Sequence, residues 1–98
     1  MRTFKKTEDN ITLCRFDSST ILQTVYYEDK QFLYIFFKKG NVYSYQPITK
    51  EIYQGFENAE SQGKYLNMYV KKNPAIAYRK ETSLKEFELK SMIESKFK

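Results

Sequence analysis

The stretch Phe32-Leu33-Tyr34-Ile35-Phe36-Phe37-Lys38-Lys39-Gly40-Asn41-Val42-Tyr43-Ser44-Tyr45 decides the fold class. Two runs of aromatic and β-branched residues, which suit a pleated surface, flank a polar turn in which Gly40 can take a positive φ angle. That pattern is a β-hairpin of residues 32–37 and 42–45. Upstream, Ile21-Leu22-Gln23-Thr24-Val25-Tyr26-Tyr27 has the same composition and ends at the polar cluster Glu28-Asp29-Lys30. It reads as the first strand of a three-stranded antiparallel meander, to which the apolar patch at residues 11–16 can add a fourth, N-terminal strand. A two- or four-residue turn at Gly40 puts Leu33, Ile35 and Phe37 beside Val42 on one face, and Tyr34 and Phe36 beside Tyr43 and Tyr45 on the other. Both faces are then apolar, whereas a sheet covered on one side alternates apolar with polar. The Tyr-rich face calls for a cover: the C-terminal helix, another subunit, or a ligand with flat rings.

After Pro47 the apolar spacing changes from two to about 3.6 residues, the helical period. Thr49 is a suitable N-cap, with Glu51 in the first turn and Ile52, Tyr53 and Phe56 on one face, which predicts a helix to about Asn58. A second helix is expected from about Gln62 to Lys72, ended by Asn73-Pro74 because the residue before proline is pushed away from helical angles. Its start, Ser61-Gln62-Gly63-Lys64, offers unsatisfied backbone N–H groups that can receive an anion. Ser83-Leu84-Lys85-Glu86 reads as a capping box for a longer C-terminal helix carrying Leu84, Phe87, Met92, Ile93 and Phe97 on its apolar side. The expected fold is α+β, with residues 1–17 as an N-terminal extension, 18–79 as the domain, and 80–98 as a helix packing on that domain or on another subunit.

The 98 residues, 41% hydrophobic and 17% aromatic, suit one compact domain with a small core. Apolar runs fall short of the roughly 20 residues that span a bilayer, and residues 1–6 lack the apolar region of a secretory signal, so a cytoplasmic, non-membrane protein is expected. The single cysteine, Cys14, cannot form an internal disulfide and reads as a small core residue. The formal charge of +5 is unevenly placed: residues 1–63 hold eight basic and eight acidic side chains, and residues 64–98 hold nine and four. A phosphate-bearing partner suits that surplus, as does plain solubility.

Several spaced motifs carry a family resemblance: Ser18-Ser19-Thr20-Ile21, Val25-Tyr26-Tyr27, Leu33-x-Ile35-x-Phe37-x-x-Gly40-x-x-Tyr43-x-Tyr45, Ile52-Tyr53, Ala59-x-Ser61-x-Gly63-x-Tyr65-Leu66-Asn67, and Arg79. Together they resemble a KTSC domain, a small α+β module named from its occurrence at the C-terminus of some lysyl-tRNA synthetases. The resemblance covers residues 18–79. It implies a three-stranded meander with helices, no established enzymatic activity, and a connection to nucleotides or nucleic acid. The chain departs from the family at Tyr34 and Phe36, where family strands usually carry polar residues, and at 83–98, which extend beyond the domain. The Lys-rich residues 1–9 have no clear family counterpart and read as a flexible end or an edge strand.

The chain has no histidine, which removes the usual general base and the commonest metal ligand, and it shows no paired metal-ligand or phosphate-loop motif. Glu57 and Glu60 can share a helix face but read as solvated acids. The expectation is a binding protein rather than an enzyme, with no cofactor and no metal. One reading is a homo-oligomer that sequesters or senses a small nucleotide, such as a cyclic-oligonucleotide or ADP-ribose-type signal. Ser61, the Gly63 backbone and Lys64 would hold phosphate, Tyr43, Tyr45 or Tyr65 would stack, and Asn67 and Arg79 would hydrogen-bond; Ser18, Ser19 and Lys38 complete the candidate set. A second is RNA or single-stranded DNA on the same surfaces. A third is inhibition of a partner protein through the Tyr-rich face, a role for which short length and high lysine content fit a small phage protein. Each residue also has a plain structural role to weigh: Ser61 as an N-cap, Gly63 as a packing position, Tyr65 and Tyr69 as core, Arg79 as a carboxylate partner, and Ser18 to Thr20 as a turn.

Overall fold

The computed structural model describes residues 2–80 and Ser91. The fold is α+β, built on one antiparallel sheet of six strands in sequential order: β1 (Arg2–Glu8), β2 (Ile11–Phe16), β3 (Ile21–Tyr27), β4 (Phe32–Phe37), β5 (Val42–Gln46) and β6 (Ala77–Lys80). Between β5 and β6 lie α1 (Lys50–Asn58), α2 (Gln62–Tyr65) and a π-helical continuation of α2, Leu66–Lys71. The sheet therefore has six strands in place of the expected three-stranded meander, whose segments form only β3, β4 and β5. Residues 11–16 form the fourth strand that their apolar patch suggested, and the Lys-rich N-terminus forms an edge strand. The helix expected over 83–98 lies outside the described residues, except for Ser91.

The two strands added at the edges, β1 and β6, left little apolar signature because their side chains face solvent. β6 is exposed along its whole length, and β1 is exposed from Thr3 to Glu8. Both are held by backbone pairing, and their charged side chains suit an edge. Asp9 and Asn10 both take positive φ angles (54° and 63°) in the two-residue turn between β1 and β2. Short polar side chains tolerate that region.

The β4–β5 hairpin differs from expectation in its register. Phe36 pairs with Val42 and Ile35 with Tyr43, while Phe37 N–H donates to Asn41 C=O at 2.8 Å and Gly40 N–H to Phe37 C=O at 3.0 Å. This is a three-residue loop, a tight turn followed by Gly40 at φ 97°, the usual alternative to two-residue turns. One residue of slip exchanges the faces of a strand. Tyr43 and Tyr45 accordingly join Leu33, Ile35 and Phe37 on the helix-covered side, and Tyr34 and Phe36 share the opposite side with Val42 and Ser44. Since open space surrounds the position a Gly40 Cβ would take, the cost of Gly40→Ala is conformational alone. It should lower stability by about 1–2 kcal/mol, read as a lower urea midpoint at unchanged slope.

α1 starts where the sequence placed it: Thr49 Oγ1 accepts from Ile52 N–H at 3.3 Å. Its buried face carries Tyr53 and Phe56 into a core with Phe16, Ile21, Leu33, Ile35, Tyr45, Leu66 and Val70. Glu57, expected in solvent, is 5% exposed beside Cys14 and Lys5. The second sheet face holds a smaller cluster of Leu13, Val25, Tyr34, Phe36 and Val42. Among the described residues no helix is long and apolar enough to cross a membrane.

Candidate functional site

A concavity of about 450 Å³ opens at the end of the sheet where the β4–β5 hairpin meets the helices. Its floor is aromatic, formed by Tyr43 and Tyr45 of β5 with Phe37 of β4 and Tyr78 of β6. Tyr45 pairs with Tyr78 across the two strands, and their rings lie 5.9 Å apart at 31°. Tyr43 stands 6.4 Å from Tyr78 and edge-on to Phe37 at 5.6 Å. Lys38 and Lys39 from the hairpin and Lys71 from the end of the π-helical turn line the same cleft and are exposed. Ser19 and Thr20 form the remaining wall, tied to the hairpin by Lys38 N–H donating to Thr20 C=O at 2.9 Å. Among the described lining residues the charged side chains are the three lysines, with no carboxylate, beside a surface of flat rings.

Four of the sequence candidates, Ser19, Lys38, Tyr43 and Tyr45, thus meet in one place. The other seven do not line the cleft. Ser18 Oγ accepts from Thr20 and Ile21 N–H at 3.2 Å each, which shapes the turn before β3. Ser61 Oγ accepts from Lys64 N–H at 3.4 Å, so the serine caps the helix start that an anion would otherwise use. Gly63 seats α2 against the cleft wall: a Cβ there would lie 3.8 Å from Thr20 Oγ1. Lys64 and Asn67 point to solvent elsewhere. Tyr65 packs over Gly55, edge-on to Phe56 at 6.2 Å. Arg79 pairs with Ser44 in register and lies on the opposite sheet face beside Phe32 and Gln46.

Sequence reasoning passed over Lys39, Lys71 and Tyr78. Lys71 falls within the helix expected over 62–72, and no sequence signal relates it to the hairpin. Tyr78 belongs to a strand of four residues, too short to show alternation, and reaches the site only through its pairing with Tyr45.

Tyr45 is 1% exposed, and its hydroxyl has no hydrogen-bond partner among the described residues. Burial, and then the neighbouring phenols of Tyr43 and Tyr78, push its ionisation well above the ordinary tyrosine range. It is therefore a neutral hydroxyl able both to donate and to accept.

A second polar cluster lies under α1. Cys14 Sγ is 3.1 Å from Tyr53 Oη and donates to Glu57 Oε1 at 3.3 Å, and Lys5 Nζ meets the same carboxylate at 3.0 Å. Burial pushes the thiol up to about 11, leaving it protonated at neutral pH. These contacts join β1 and β2 to α1. Among the described residues no three His, Cys, Asp or Glu side chains cluster as a metal site.

Comparison with known proteins agrees with this architecture. The profile of the KTSC domain matches residues 17–73. A KTSC domain protein from Yersinia pestis, known from a crystal structure, is similar at 27% identity and a TM-score of 0.64, over 74% of this chain and 99% of that one. No match is found among curated proteins. The chain is an α+β protein of a small antiparallel sheet with helices inserted before the last strand. It belongs to the KTSC domain family.

Proposed function

We propose that the chain is a non-catalytic protein that holds a phosphate-bearing nucleotide in the tyrosine-floored cleft. One observation carries the reading: among the described residues, three lysines and no carboxylate line an aromatic concavity whose volume lies within the range of small-molecule sites. Lys38, Lys39 and Lys71 supply the cations for phosphate oxygens, and Tyr43 and Tyr78 offer flat faces to a base. Ser19 and Thr20 add hydroxyls at the wall. The lack of histidine and the protonated state of Cys14 favour storage over chemistry.

The test is a calorimetric titration with mononucleotides, cyclic dinucleotides and short single-stranded RNA. Each lysine–phosphate contact is worth about 1.5–3 kcal/mol, about tenfold or more in affinity. Lys38→Glu combined with Lys71→Glu should therefore weaken binding by about a hundredfold or more, whereas Lys6→Glu combined with Lys64→Glu, of equal charge change at exposed positions that do not line the cleft, should have a far smaller effect. Affinity that grows with strand length and falls steeply with salt would transfer the reading to nucleic acid. Binding to none of the three ligand classes would overturn both and leave inhibition of a protein partner.

A further inference from the structure

The sheet face away from the helices is closed, although no described helix lies on it. One row of paired residues crosses that face from β1 to β6: Lys6, Leu13, Val25, Tyr34, Ser44 and Arg79. The two ends of the row are exposed and its four middle members are buried. Leu13 and Val25 are 0% exposed, and Val42 of the same cluster is 2% exposed. An antiparallel face without a cover meets water, so such burial needs a layer of chain above β2 to β5. The cluster and the partly buried Ile11, Tyr27 and Phe32 packed against it are strand residues alone. Tyr53, Phe56, Leu66 and Val70 of the helices all pack on the other face. The burial is that of a single chain, so a second subunit does not provide it.

We propose that residues 81–98 are this cover, crossing the face as an amphipathic helix with Leu89, Ile93 and Phe97 on its sheet side. The segment starts in the right place, because Lys80 at the end of β6 pairs with Tyr43, the neighbour of Val42. It is also long enough: a helix over 83–98 spans about 24 Å, whereas β2 to β5 lie about 14–15 Å apart. Leu89, Met92, Ile93 and Phe97 recur at i, i+3, i+4 and i+8, the spacing of one helix side. Ser91 falls on the side opposite Leu89 and Ile93, and it is helical and exposed. The match to the family profile ends at residue 73, so this cover lies outside the matched range. The proposal is independent of the nucleotide reading. It closes the Tyr34 and Phe36 side within the chain, which removes that side as a surface for a partner subunit.

The test is NMR on the full chain with labelled methyl groups. The expected result is nuclear Overhauser contacts from the methyls of Leu89 or Ile93 to those of Leu13, Val25 or Val42. In a mixture of labelled and unlabelled protein, no such contact should cross between chains. Contacts found only between chains would overturn the proposal in favour of a second copy, and finding none would overturn it outright. Two full-chain variants give an independent readout. Ile93→Asp should lower the urea midpoint and raise the fluorescence of a dye that binds apolar surface, because a carboxylate would be pressed onto apolar side chains. Ser91→Asp, at an exposed position, should leave both as in the parent. Equal responses of the two variants would likewise overturn the proposal.

Discussion

Phe56→Ala is expected to cost about 3–5 kcal/mol, because it combines lost transfer energy with a cavity. Phe56 is fully buried and stands at the junction of sheet and helices. Its ring meets Phe16 of β2 edge-on at 5.5 Å, lies 6.4 Å from Tyr53 within α1, and meets Tyr65 of α2 at 6.2 Å. Its carbonyl accepts from Ala59 N–H and from the buried Gln62 side chain, both at 3.3 Å, so the same residue fastens the α1–α2 corner. A small domain has about 5–15 kcal/mol in total, so this one substitution removes from about a fifth to all of the stability. Urea denaturation at 25 °C checks the prediction. Phe56→Leu, which keeps much of the volume, should lose less than half as much, and Tyr69→Ala, at a residue 55% exposed, should stay within about 0.5 kcal/mol of the parent. Equal losses for Phe56→Ala and Tyr69→Ala would mean that the helices are not anchored through this ring.

What sequence revealed and what it hid divide along physical lines. β3, β4 and α1 were legible because apolar runs end at turn residues or begin at a side-chain cap, and such signals are local. The register of the hairpin was not, since Gly40 serves two-, three- and four-residue loops alike and only the Phe37–Asn41 backbone contact selects among them. That one-residue difference moved Tyr43 and Tyr45 from the wrong face to the floor of the cleft. β1 and β6 were hidden for another reason: edge strands held by backbone pairing need no apolar alternation. Ser19, Lys38, Tyr43 and Tyr45 could be proposed from spacing and family motif, but Tyr78 joins them only once β6 pairs with β5, and Lys71 only once the π-helical turn ends beside the hairpin. The Ser61-x-Gly63 motif, attractive as an anion site, closes its own helix and packs against the wall of the cleft instead.

Alkaline pH should unfold the domain steeply, and the sign follows from which state holds its protons. Cys14, faced by Tyr53, Glu57 and Lys5, is raised by burial from 9.0 to about 11. Between those values the unfolded chain releases the thiol proton and the folded chain keeps it, so stability falls as pH rises through that window and levels off above it. A shift of two units corresponds to about 2–3 kcal/mol for this fully buried group. Tyr53 and Tyr45 act in the same direction from the ordinary tyrosine range upward. Burial is the main cause for both, reinforced by Cys14 beside Tyr53 and by Tyr43 beside Tyr45. Tyr26, Tyr27 and Tyr65 are also raised chiefly by burial and add smaller increments. Because every one of these groups is neutral when protonated, no compensating gain arises on the alkaline side. Urea midpoints measured from pH 8 to 11.5 should decline from about pH 9 and steepen near pH 10 as the tyrosines join. Cys14→Ala should remove the first part of the decline, and Tyr45→Phe should reduce the second without altering the first. A flat profile to pH 11 in the parent protein would show that these side chains meet water far more freely than their burial implies.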